Sequence, residues 1–318
     1  MEEISFHIED NAGNVPGFKL SAILPLPYAV STAAWLLPMG DELRILINTG
    51  NAAVHLAVSK KKEITIMLPI DRVIAGAAAD DKQLLVTTNL PSVAAINRQG
   101  IKEWEYDIKT EDPLIWPRPF INKKMQLAWQ VQNGLLEISE PGFDGLHNHR
   151  RYTVGETPLF FASEKEKLYC VWKKADDIEG IEITGDVARS FKTTVGTASQ
   201  VLLTAENNSL LIALQHHDSV ELVRFTHTDM PASRTVVKLP AGVTEIASVI
   251  AAGKETVFLL KKKSEGWQEN ELQIQHVLFA DGYNTIIVNG FIHAITYWNG
   301  QLVLLGTSML YLVNLKKD

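Results

Sequence analysis

The chain has 318 residues, 46% hydrophobic and 21% charged, enough apolar content to bury a large core and too much to remain disordered. Its net charge of −7 gives no reason to expect nucleic acid as a partner, which would ask for a basic face. The single cysteine, Cys170, excludes an intramolecular disulfide and a cysteine-rich zinc site.

The chain starts Met1-Glu2-Glu3, which lacks the basic start and apolar run of a secretory signal, so a cytoplasmic location is expected. Residues 1–16 read as an extension, with Ile4–Ile8 as an additional edge strand. Leu20 to Gly40 carries no charge and is long enough to cross a bilayer. It also contains Pro25, Pro27 and Pro38, and it falls in frame with the repeat described next, so no membrane span is expected.

From there the chain repeats. Seven apolar runs begin at Leu43, Leu84, Met125, Leu168, Leu210, Thr256 and Leu302, spaced 41, 41, 43, 42, 46 and 46 residues apart. Each follows a polar turn, such as Gly40-Asp41-Glu42, Asp80-Asp81-Lys82 or Asn299-Gly300, built from residues that tolerate positive φ or bond their own backbone. Each unit holds four short stretches rich in β-branched and aromatic residues. In the second unit they are Val73–Ala79, Gln83–Thr88, Ser92–Asn97 and Ile101–Asp107. Cys170 lies within the run Leu168-Tyr169-Cys170-Val171-Trp172 and reads as a buried strand cysteine. Four antiparallel strands every 40 to 46 residues is the signature of a β-propeller.

The expected fold is therefore all-β: a single seven-bladed β-propeller over residues 17–318, with four-stranded antiparallel blades. The seventh unit supplies Phe291–Trp298, Gln301–Gly306 and Met309–Leu315, one strand short of the other units. Phe18–Pro25 matches the fourth-strand segments Glu63–Pro69 and Thr235–Pro240. This N-terminal strand is expected to complete the last blade and so remove an exposed edge.

The stretch Ala95 to Tyr106, with Asn97-Arg98-Gln99-Gly100 leading into Trp104, resembles one repeat of the quinoprotein-type (PQQ-like) propellers. There a glycine-ended turn leads into a tryptophan-bearing outer strand. The resemblance implies the fold and not the cofactor, and no cofactor is expected. The enzymes of that family usually have eight blades and a secretory signal, and this chain reads otherwise on both. WD40 propellers are similar in architecture, but their Gly-His and Trp-Asp signatures do not occur here.

Antiparallel order sorts the loops onto two faces. Turns joining first to second and third to fourth strands share one face. Second-to-third loops and the connections between blades share the other, which holds the longer and less regular segments. Binding concentrates on irregular loops carried by a rigid scaffold, so the second face is the candidate. It carries Gln215-His216-His217-Asp218, Lys173 to Asp177, the loop Lys261 to Asn270 with Trp267, and Trp116-Pro117-Arg118-Pro119-Phe120. Connections between blades add Asp71, Arg72, Glu111, Asp112, Glu156 and Glu245.

Among these, Arg72, Trp116, Arg118, His216, His217, Asp218 and Trp267 are the candidate binding residues. Trp267 in a polar loop suits a partner anchor, and Arg118 between two prolines suits a carboxylate or phosphate. Adjacent residues at a strand end point apart, so His216 and His217 are not expected to share a metal. His147 and His149 are spaced for one strand face and read as surface histidines. Glu245 and His293, from neighbouring blades near the channel, form the candidate acid–base pair. The sequence has no Gly-x-Ser-x-Gly elbow, phosphate loop or dinucleotide fingerprint. The first reading is a non-catalytic binding or scaffold propeller holding a protein or peptide on its loop-rich face. The alternative is an enzyme (lyase, hydrolase or cyclase) acting on a small molecule at the mouth of the central channel.

Overall fold

The computed structural model describes residues 6–10, 18–30, 33–90, 92–108, 118–119, 125–132, 134–156, 158–164, 166–206, 209–226, 231–252, 255–262, 274–279, 284–289 and 291–315. They form seven antiparallel sheets, one per repeat. Blade one runs Ala34–Met39, Glu42–Thr49, Ala52–Ser59 and Ile64–Ile66, from the innermost strand outward. Blade two runs Ile74–Ala79, Gln83–Thr88, Ser92–Asn97 and Lys102–Asp107, within one residue of the four stretches read from the sequence. Blade three holds Arg118–Pro119, Leu127–Gln132, Leu135–Gly142 and Gly145–Thr153. Blade four holds Leu159–Glu164, Lys167–Lys174, Asp177–Thr184 and Val187–Thr194. Blade five holds Gln200–Glu206, Ser209–Gln215, Ser219–Phe225 and Ser233–Lys238.

The two ends of the propeller are stitched by the N-terminal segment. Phe18–Pro25 pairs with Met309–Leu315 and completes blade seven outside Gln301–Gly306 and Ile292–Trp298. Blade six contains Val243–Ala252, Glu255–Lys262, Ile274–Phe279 and Asn284–Asn289, and gains Phe6–Asp10 as a fifth strand. That strand caps an edge whose N–H and C=O groups would otherwise face outward unpaired. The uncharged stretch from Leu20 is split between blade seven and the innermost strand of blade one. Among the described residues no helix is long and apolar enough to cross a membrane.

The core is a ring of seven clusters, each lying between two consecutive blades. The second strand of each blade makes this arrangement. Its side chains alternate faces, and both faces meet a neighbouring sheet. Leu210, Ile212 and Leu214 pack toward blade four, whereas Leu211 and Ala213 pack toward blade six. Leu43, Ile45 and Ile47 pack on Trp298, Val303 and Leu305 of blade seven, which closes the ring. A continuous apolar run is required there, and the seven runs of the sequence are these strands.

The residue five positions after the start of each run is polar: Asn48, Asn89, Gln130, Lys173, Gln215, Lys261 and Thr307. It falls at the loop-face end of the strand. Among the described residues its side chain latches the next blade in three blades. Asn48 Nδ2 donates to Ile74 O (2.9 Å), and Ile74 N donates to Asn48 Oδ1 (2.9 Å). Gln215 Nε2 donates to Thr244 O (3.2 Å) and its Oε1 accepts from Ile246 N (3.0 Å). Lys173 Nζ donates to Ala198 O (2.8 Å). Ile74 and Thr244–Ile246 lie where the innermost strands of blades two and six carry register shifts, so the amides satisfy backbone groups that the bulges free from the ladder.

Candidate functional site

The junction between blades three and four departs from this pattern. The residue of blade four equivalent to Ile74 and Ile246 is Pro158, which has no N–H to give. Among the described residues the two-point latch has no counterpart here, and Gln130 Nε2 is buried without a partner. At this junction a cavity of about 760 Å³ opens on the loop face. Its wall is the connection Thr153 to Glu156 on one side and the hairpin Lys173 to Ala175 on the other, with Trp172 and Glu179 between them.

Glycine shapes this cavity. A Cβ on Gly155 would lie 2.1 Å from Trp172 Cδ1 and 2.3 Å from Nε1, so only glycine lets the connection lie on the indole. Gly134, at φ +77°, turns the blade-three hairpin so that its carbonyl accepts from Val154 N (2.8 Å). Trp172 is 8% exposed, and its Nε1 donates to Glu179 Oε2 (3.3 Å). Lys174 reaches Glu179 at 3.8 Å and is largely exposed, whereas Lys173 is drawn toward Ala198. Glu156 is exposed on the opposite wall. The site therefore offers a fixed aromatic floor, with acidic and basic groups on its rim.

A polar chain ties this site to blade five. Lys192 bridges Glu179 (3.4 Å) and Asp177 (2.6 Å). Hydrogen bonds from Lys192 and Thr194 hold the Asp177 carboxyl below the usual carboxylate range. Arg234 donates to Thr194 O (2.8 Å) and pairs with Glu221 (2.7 Å), and Glu221 lies 3.8 Å from His216 Nε2. His216 Nδ1 in turn donates to Thr197 O (3.2 Å), next to the Ala198 carbonyl that holds Lys173. The structure thus brings together Lys173 and His216, two features of the sequence-predicted face. Trp172, Gly155, Lys192 and Arg234 were not among the candidates. The polar position ending each apolar run was the available signal, because it marks the loop-face rim and so singles out Trp172 beside it.

The other candidates are placed as follows. His217 is exposed, and the Asp218 carbonyl accepts from Leu239 N (2.9 Å). Arg72 pairs with Glu105 (3.0 Å), whose second oxygen takes Lys102 (2.6 Å). These charges stand at a separate cavity of about 290 Å³ between blades one and two, also lined by Leu68, Ile70, Val86, Ala94 and Ile96. Glu245 pairs with Lys261 (3.0 Å). His293 lies 3.3 Å from Thr307 Oγ1, packs on Phe291 with ring centroids 4.6 Å apart, and is held below the usual histidine pKa by burial. No hydrogen bond or ion pair joins Glu245 to His293. The Arg118 backbone pairs with Ala128 in the innermost strand of blade three. Trp116 and Trp267 lie outside the described residues.

One expectation is corrected. His147 and His149 do not share a strand face. Asn148, at φ +52°, sits in a register shift opposite Ile138–Glu140, and the extra residue turns the two rings apart. His147 pairs with Asp144 (2.8 Å), and His149 with Glu137 (2.9 Å) and Ser139 (2.8 Å). Cys170 is fully buried, as expected, and burial pushes its thiol up to about 12. Among the described residues no group of three or more histidine, cysteine, aspartate or glutamate side chains is placed to hold a metal.

No protein-family model and no curated protein matches the sequence. Solved structures match its shape. The propeller of YCF48 bound to D1 peptide is similar at a TM-score of 0.62 and 8% identity, over 97% of each chain. The WD40 domain of Toxoplasma gondii coronin matches at 0.61 and 7%, over 94% of this chain and 86% of that one. BamB from Moraxella catarrhalis matches at 0.54 and 12%, over 94% of this chain and all of that one. At these identities the likeness shows the fold, a seven-bladed β-propeller of the broad PQQ-like and WD40-like type, and nothing narrower.

Proposed function

We propose that the protein is a binding propeller that holds a protein or peptide partner on its loop face, seated in the cavity over Trp172. The observation that carries this reading is the cavity itself: about 760 Å³, open on the loop face, at a junction where the latch between blades is lacking. A rigid aromatic floor with mixed charges at the rim is the anatomy of a peptide seat, with a desolvated anchor at the centre and polar groups around it. Fold likeness adds support by analogy, since the YCF48 propeller was solved with a peptide bound.

The test is capture with a photo-crosslinking residue at Lys174 of the whole tagged chain, identification of the crosslinked partner, and titration of that purified partner. Gly155→Leu, which fills the cavity and displaces the indole, should weaken binding at least about tenfold, the loss of one central anchor. Lys60→Glu, on the opposite face, should leave it unchanged. Equal affinity for wild type and Gly155→Leu would move the interface away from this cavity. A Trp267→Ala, Arg118→Ala double variant tests in parallel whether the anchors named from the sequence belong to the same interface.

A further inference from the structure

A different junction holds polar groups that the fold leaves unanswered. Among the described residues ten buried side-chain nitrogen or oxygen atoms lack a hydrogen-bond partner, and four of them belong to Arg44 and His55. Both residues are 1% exposed. His55 is the cross-strand partner of Leu46, and Arg44 lies two residues before Leu46 on the same strand, so all three share the face turned toward blade two. The two polar residues are diagonal neighbours on that face. Arg44 Nη2 is engaged, donating to Glu42 (2.6 Å) and to the Arg98 carbonyl. Its Nε and Nη1, and both nitrogens of His55, have no partner.

The surroundings favour a guest over direct pairing. Ala53, Ala79 and Ala94 are buried in this cluster, Ala77 packs against it, and Ala57 stands opposite Arg44. These short side chains carry no polar group that could answer the buried donors. The charge balance has a sign. Glu42 is shared between Arg44 (2.6 Å) and Arg98 (3.8 Å), two guanidinium groups on one carboxylate. The unanswered atoms are mainly donors: the Nε–H and Nη1–H groups of Arg44 and one ring N–H of neutral His55. Buried donors with no acceptor are costly, and an acceptor without protons of its own answers them best. The 290 Å³ cavity that opens between these blades adjoins this cluster, since Val86, Ala94 and Ile96 belong to both.

We infer that Arg44 and His55, among the alanines on the face of blade one turned toward blade two, form a binding site for a small monovalent anion of halide size. The ion receives N–H donation from both side chains and neutralises the guanidinium charge that Glu42 leaves partly unbalanced. It acts as a bound strut between the second and third strands of blade one, on the face turned toward blade two.

Bromide tests this on the whole chain. Crystals grown in sodium bromide should show an anomalous peak within about 3.5 Å of Arg44 Nε or Nη1 and of a His55 ring nitrogen, the contact distance of N–H to a halide. Thermal unfolding in chloride should lie about 2 °C above unfolding in gluconate at equal ionic strength, the shift expected of a weakly bound ligand. Arg44→Lys, which keeps the charge and loses the paired donors, should abolish both signals. Water alone at the site without anomalous scattering, or equal melting of wild type in the two salts, would overturn the assignment. Both of those readings are made on the native sequence, so a variant that folds poorly does not shield the inference.

Discussion

The junctions on either side of blades two and three show what one repeat position can become. Between blades one and two, Asn48 closes the loop-face end with two hydrogen bonds to Ile74. Between blades three and four the same position is Gln130, the facing residue is Pro158, and a cavity opens instead. The lesson is that a propeller opens a cavity by omission. The polar rim residue is structural at Asn48 and Gln215, where the next blade presents a backbone N–H and C=O, and one proline is enough to withdraw half of that pairing.

The sharpest way to break the comparison is Asn48→Ala. It strands a buried N–H and C=O of Ile74 and should cost about 3 kcal/mol in denaturant unfolding. A loss below about 1 kcal/mol would mean the latch is incidental. A similar magnitude belongs to His55, at the heart of the closed junction. Burial, with the Arg44 charge second, lowers its pKa from 6.5 to about 4. The native state therefore binds fewer protons than the unfolded chain between those values. Its contribution is complete above pH 6.5 and is lost as pH falls toward 4, by roughly 3 kcal/mol. Urea melts of wild type and His55→Leu in halide-free buffer should show this fall in wild type only; parallel curves would remove His55 from the account.

At the open junction the effects should be smaller. Gly155→Ala drives a methyl into Trp172 and should cost about 2 kcal/mol while changing the near-ultraviolet signal of the indole. An unchanged signal would show that the connection can move aside at no cost. Smallest of all is Gln130→Met, which removes, at nearly constant volume, a buried Nε2 that has no partner. Stability should hold within about 0.5 kcal/mol or rise. A loss as large as that for Asn48→Ala would show that Gln130 is latched after all and would erase the distinction between the two junctions.

Much of the fold was legible because it rests on local patterns repeated seven times. Apolar runs at 41 to 46 residues, each after a polar turn, fix where the second strand of every blade lies. Period-two alternation with both faces apolar says that each such strand is sandwiched. Phe18–Pro25 could be assigned to the last blade because it matches two fourth-strand segments in sequence. The edge strand predicted at Ile4–Ile8 is found as Phe6–Asp10, on blade six, a pairing partner that no local pattern identifies.

The candidate site was legible only as a face. Antiparallel connectivity alone assigns Lys173, Glu156 and His216 to one side of the disc, and that follows from strand order. Which of them meet is a matter of registers and bulges across residues far apart in sequence. His147 and His149 read as neighbours on one face until a single extra residue at Asn148 turned them apart. Gly155 over Trp172 and Lys173 on the Ala198 carbonyl are contacts across strands and blades, with no periodicity to announce them. The sequence by itself determined the number of blades, the order of their strands and the side that bears the loops, because those depend on alternation and turn chemistry within about 40 residues. Only the tertiary structure decided where the ring is latched and where it opens, because a hydrogen bond between blades depends on whether a neighbouring backbone presents its N–H at that point.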